Sequence, residues 1–275
     1  MAIQFVGTAY AIKSFTTGAN KSIALNTGLT GGIGSSVQAG DLVVVSNGLS
    51  GTSDATLTIT DPSSVAYTIV GAELYSNDTF DANLRVAYKV MGGTPDASVN
   101  FSQSTGITDG GIGMVSVFRG VDTSSPMDVA GVTATGINSA LVDPGQITPV
   151  TAGAIVVVAG IAAHGLGLPN FGLTGLTSID NQAHNLTNDL TTAMGYTSWT
   201  SGALNPAAWT LTGSTTTHSW AAVTMALRPL GVGGNIKVWN GSAWTAKPVK
   251  FWNGSAWVTK PMKRWNGSAW ITLPY

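Results

Sequence analysis

The chain has 275 residues, of which 44% are hydrophobic and only 9% charged, with 35 glycines and no cysteine. That content can build a core, so the chain is no disordered segment, and disulfides and Cys-ligated metals are excluded. All 13 acidic residues precede position 190; residues 1–230 carry a net −7 and residues 231–275 a net +6, so a basic tail follows an acidic body.

Nothing at the start has a basic, apolar, small-residue pattern, and Met1-Ala2-Ile3-Gln4 reads as a cytoplasmic start. The longest apolar run, 154–163, is about half the length a membrane helix needs, so no membrane span is expected. From there the body reads as short β-branched runs between Gly, Pro, Asp and Ser clusters: 42–45 (LVVV), 55–60 (ATLTIT), 83–90 (NLRVAYKV), 97–102 (ASVNFS) and 113–119 (GMVSVFR). This is the spacing of a β-sandwich or jelly roll, and no long window has a capped 3.6-residue period.

The order then repeats. GAIVVV at 153–158 echoes GDLVVV at 40–45, AMGY at 193–196 echoes RVAY at 85–88, and VTMALR at 223–228 echoes MVSVFR at 114–119. The offsets of 108 to 113 residues point to a duplicated half. Two stacked sandwiches and two half-motifs sharing one large sandwich both fit. The expected organisation is an all-β body with halves at 1–130 and 131–230, a Gly-rich linker at 231–236, and a repeat module at 237–275.

That module is one phrase written three times: KVWNGSAWTAKPV, KFWNGSAWVTKPM and KRWNGSAWITLPY. Asn-Gly between apolar residues is a strong hairpin signal, so Asn240-Gly241, Asn253-Gly254 and Asn266-Gly267 are expected at the centres of two-residue type I′ turns. In that register Trp239 faces Ser242, and Lys237, Lys250 and Lys263 face Trp244, Trp257 and Trp270. The tryptophans Trp239–Trp244, Trp252–Trp257 and Trp265–Trp270 become diagonal pairs on one face. Prolines 248, 261 and 274 close the copies. An isolated hairpin is marginal in water, so the first expectation is that three copies bury a shared tryptophan face. The second leaves the six tryptophans and three lysines exposed as a surface for glycan or protein. The lysines are read as solvating the hairpins rather than holding nucleic acid.

Patterns that carry chemistry are sparse. His164, His184 and His218 stand apart in sequence, with no metal-ligand spacing. No GxSxG elbow occurs, and Gly31-Gly32-Ile33-Gly34 lacks the rest of a phosphate loop. Asn77, Asp78 and Asp81 could hold calcium but read better as turn residues. No cofactor, metal or catalytic set is expected. The three Asn-Gly-Ser sequons read as turn chemistry.

The repeated WNGSAW…KP phrase resembles C-terminal modules on virion proteins of tailed bacteriophages and related prophages. GDLVVV, ANLRVAYKVMGGTPDASV, VFRGVD and SWAAVTMALRP in the body resemble the same group. The resemblance implies a non-enzymatic structural protein of the particle exterior, made in the host cytoplasm and assembled with other virion proteins. It also implies homo-oligomers, often trimers, which a low-charge Ser/Thr/Gly surface suits. It supplies no catalytic residues. Two roles stay open: a tail-fibre or tail-tip component touching host-surface glycans, and a capsid decoration protein or head fibre. A glycan-processing enzyme, the third reading, has no positive sign.

Overall fold

The computed structural model describes residues 2–13, 21–104, 110–165, 167–185, 189–212, 218–230, 236–247, 249–260, 263–265 and 270–272. It is all-β; among these residues no helix is long and apolar enough to cross a membrane. The first half contains β1 (Gln4–Lys13), β2 (Lys21–Ala24), β3 (Leu42–Gly51), β4 (Leu57–Thr60), β5 (Thr68–Ile69), β6 (Leu74–Ser76), β7 (Asp81–Val90), β8 (Ser98–Gln103) and β9 (Gly111–Arg119). The second contains β10 (Met127–Ser139), β11 (Leu141–Val142), β12 (Ile155–His164), β13 (Phe171–Gly172), β14 (Thr177–His184), β15 (Asp189–Ser198), β16 (Trp209–Leu211) and β17 (His218–Leu227).

The strand order is written twice. A large antiparallel sheet runs β1-β9-β3-β7-β5, with β6 also on β7, and a small one runs β2-β8-β4. Their counterparts are β10-β17-β12-β15-β14 and β11-β16-β13. Each large sheet packs on the small sheet of its own half, and the two large sheets pack face to face over a shared core. Residue 130 falls inside β10, which belongs wholly to the second large sheet.

Burial explains the sequence pattern. All ten positions of β3, β12 and β17 are buried, because each lies in the middle of a sheet covered on both faces. Val44, Val86 and Met114 meet Val157, Met194 and Val223 between the large sheets. Val43, Val45 and Val117 turn the other way onto Ile23, Ile59 and Phe101 of the first small sheet. Val156, Val158 and Ala226 turn onto Val142, Phe171 and Trp209 of the second.

The two outer cores solve the same packing problem differently. In the first, Lys13 pairs with Gly111 and lies across it, so that a Cβ at Gly111 would sit 2.8 Å from the lysine Cε. Asn47 and Arg85 share that face on β3 and β7, paired with each other in register. In the second, Gly136 pairs with Trp220, and it is the tryptophan that lies across the glycine. Residue 160, offset by 113 from Asn47, is a glycine under the ring of Trp209. Polar groups in one half are thus replaced by indoles over glycine in the other.

The halves close on each other through Val121 and Pro229, which form a bridge, and backbone bonds from Asp122 to Arg228 and from Leu230 to Gly120. Each large sheet ends with an arginine clamp. Arg119 donates to both carboxylate oxygens of buried Asp41 at 2.8 Å, and Arg228 reaches Asp128 at 3.3 Å. Burial would raise the Asp128 carboxyl, but bonds from Thr151, Val150 and Arg228 hold it below its usual range.

Candidate functional site: the tryptophan hairpins

Each copy of the repeat forms its own two-stranded sheet: β18 (Ile236–Trp239) with β19 (Trp244–Lys247), β20 (Lys250–Trp252) with β21 (Trp257–Thr259), and β22 (Lys263–Trp265) with β23 (Trp270–Thr272). The register differs from the sequence expectation. Trp239 pairs directly with Trp244, Trp252 with Trp257, and Trp265 with Trp270. In the first two copies the connection is a four-residue loop, not a two-residue turn.

The asparagine side chain sets that loop. Asn240 Oδ1 accepts from the backbone N–H groups of Ser242 (2.9 Å) and Ala243 (2.8 Å) and from the Ser242 hydroxyl, while Asn240 N–H donates to Ala243 C=O at 3.0 Å. Asn253 repeats the set with Ser255 and Ala256. The amide thus satisfies donors that a tighter turn would have paired across the strands, an Asx turn widening the hairpin. Only the glycine takes positive φ, +102° at both Gly241 and Gly254. Asn266 and Gly267 lie outside the described residues.

This slip moves each partner by two residues, so no side chain changes face. What changes is who sits opposite whom. Lys237, Lys250 and Lys263 face Ala246, Thr259 and Thr272 rather than tryptophans. Lys250 stays on the tryptophan face as a diagonal neighbour of Trp257. Among the described residues of the hairpins a cation–π contact forms on the other face: Lys260 Nζ stands 5.2 Å from the Phe251 ring.

The indole pairs are direct contacts, with ring centroids 5.9 Å apart and planes at 58° for Trp239–Trp244 and 61° for Trp252–Trp257. Such pairs add about 0.5–1.5 kcal/mol beyond their buried area. Yet Trp239, Trp244, Trp252, Trp257 and Trp270 are each between 52% and 66% exposed. The expected shared tryptophan core is therefore not what forms. In the first two copies the rings pack on their own hairpin partner and leave their outer faces to solvent. Lys250 and Lys263 are exposed beside them.

Elsewhere the structure assembles what the sequence scattered. His164, His184 and His218 are all buried at one end of the second large sheet, around Asp189. His164 pairs with Asp189 across the strands, and its Nε2 lies 2.9 Å from the Thr191 hydroxyl. Burial, with a smaller contribution from His218, pushes the His164 imidazole down to about 4 against the pull of Asp189. His184 is lowered for the same main reason. His164 and His184 are therefore neutral core imidazoles at neutral pH, unsuited to acid–base work there. No group of three or more such side chains poised for a metal occurs among the described residues. Asp78 and Asp81 serve their turn: Asp81 accepts from the Asp78 N–H at 2.9 Å, and Asp78 from the Thr79 N–H at 2.7 Å.

No protein-family model, curated protein or solved structure matches the chain.

Proposed function

We propose that this chain is a non-enzymatic structural protein on the exterior of a tailed-bacteriophage particle. In this reading it is a tail-fibre or tail-tip component: the stacked sheets are the scaffold and the three hairpins contact the host surface. The observation that carries the reading is the set of hairpin tryptophans held more than half exposed, two cross-strand pairs among them, with lysines beside them. Exposed indoles offer flat apolar faces on which sugar rings stack, and aromatic surface of this kind marks recognition sites. The resemblance of WNGSAW…KP to virion modules supplies the setting. Partners in this reading are other virion proteins, further copies of the chain, and host glycans.

Gold labelling of intact particles with an antibody against residues 235–275 tests it. Label at the tail end is the expected result. Label spread over the head would replace this role with capsid decoration or a head fibre. Particles that contain the protein but take no label would show the hairpins buried between subunits, which overturns a host contact.

A further inference from the structure

Lys13 is fully buried, at the end of an edge strand, and no carboxylate lies within ion-pair distance of its amine among the described residues. Its Nζ instead donates to Asn47 Oδ1 at 3.1 Å and stands 5.3 Å from the Phe101 ring. Asn47, also fully buried, is fixed by its own amide: Nδ2 donates to Ser102 C=O at 2.9 Å and Thr58 C=O at 3.2 Å. The lysine reaches β3 by crossing β9 at Gly111, where a Cβ would stand 3.3 Å from Nζ.

We propose that Lys13 and Asn47 join as an intramolecular isopeptide bond. Lys13 Nζ attacks Asn47 Cγ, and a C–N bond forms as the Cγ–Nδ2 bond breaks. A proton from the amine passes to Nδ2, which leaves as ammonia. Nothing is oxidised or reduced, and no co-reactant is consumed.

Three features favour the step. Burial lowers the amine to about 7, so at mildly alkaline pH it is largely the neutral nucleophile. Amine and amide are held in contact in a water-excluded core, which gives the attack a high effective molarity. The product is a neutral amide, which removes the cost of a buried amine with no counter-ion. The second half provides an internal control. Gly136 and Gly160 stand at the corresponding places, so the same sheet order forms without the pair. The bond would tie edge strand β1 to central β3 across β9, a covalent staple in a chain without cysteine.

Mass spectrometry of the full chain, folded overnight at about pH 8 to favour the free amine and then denatured, tests the proposal. The expected intact mass is below that of the sequence by about 17 Da, one ammonia. Succinimide formation at an Asn-Gly turn loses the same mass, so tryptic mapping decides. The expected product is the peptide ending at Lys21, uncleaved after Lys13, joined to the peptide from Ser22 to Arg85. Lys13→Met abolishes that species. If the unaltered chain yields Lys13 cleaved and both peptides separate, with any missing mass at residues 240, 253 or 266 or at Asn47 itself, which Gly48 follows, the bond does not exist. Because the mapping uses the unaltered chain, a misfolded variant cannot blur the outcome.

Discussion

The body and the tail use the same residue in opposite ways. In the body, Trp209 is fully buried over Gly160 and against Phe171, with ring centroids 5.4 Å apart, and Trp220 is buried across Gly136. In the tail, the five tryptophans whose side chains are described are mostly exposed. The difference lies in what surrounds them. A strand inside a four-layer stack has two covered faces, and an indole there fills volume. A lone two-stranded hairpin has nothing to close over it, so an indole can cover only its cross-strand partner. Burial makes the first kind a stability element, and exposure leaves the second free for contact.

The largest way to break the comparison is in the body. Trp209→Ala should cost about 3–5 kcal/mol, because the cavity over Gly160 cannot collapse between two sheets. The melting temperature should fall sharply while the temperature dependence of the near-UV signal of the hairpin tryptophan pairs stays that of the unaltered chain. Loss of that signal together with the body would show the tail depends on it.

Acid sharpens the contrast next. The unfolded chain protonates its histidines near 6.5, whereas folded His164 waits until about 4. Between those values the unfolded state binds more protons, so stability falls as pH drops through this window and is fully present above it. The loss from His164 should approach about 3 kcal/mol at the acid end. The urea midpoint measured at intervals from pH 7 to 4 checks this, and His164→Gln should flatten the slope. Residues after 218 contain no Asp, Glu or His. The hairpin signal should therefore hold steady over the same range.

A third substitution acts on one hairpin alone. At Gly254 nothing crowds a side chain, but its φ of +102° is a conformation that β-branched residues resist. Gly254→Val should strain the loop by about 1–3 kcal/mol. The signal of the Trp252–Trp257 pair should vanish with no change in body melting. An unaltered signal would mean the loop tolerates valine, against the role given to its glycine.

Much of the fold is legible because central strands announce themselves. The runs at 42–45, 83–90 and 113–119 form β3, β7 and β9, and their echoes fall in β12, β15 and β17. The edge strands β1 and β10 are not legible. Register shifts at Phe5–Gly7 in β1, and at three places in β10, break the period of two, and buried Lys13 and Thr8 sit where apolar residues would be sought. In the hairpins, taking Asn-Gly as two residues of backbone turn misplaces the pairing. The following Ser and Ala carry the missing information, since their N–H groups lie where the asparagine oxygen can take them. The nearness of Lys13 to Asn47, or of the three histidines to Asp189, depends on strand order, which no local pattern encodes.

The smallest effect on stability is expected where the effect on recognition is greatest. Replacing Trp244, Trp257 and Trp270 together with alanine removes one indole from every cross-strand pair. Those side chains are about two-thirds exposed, so body melting should shift by less than about 0.5 kcal/mol, as for surface changes generally. The near-UV signal of the Trp239–Trp244 and Trp252–Trp257 pairs should disappear, since Trp239 and Trp252 each lose a neighbour at 5.9 Å. Attachment of the full chain to host cells should fall by an order of magnitude or more, because one stacked aromatic is lost from each of three linked contacts and the losses multiply. Unchanged attachment with the signal gone would leave the indole pairs as hairpin staples and move the contact surface elsewhere. A large drop in body melting would show that the hairpins pack on the sandwiches, and the contrast between body and tail would fail.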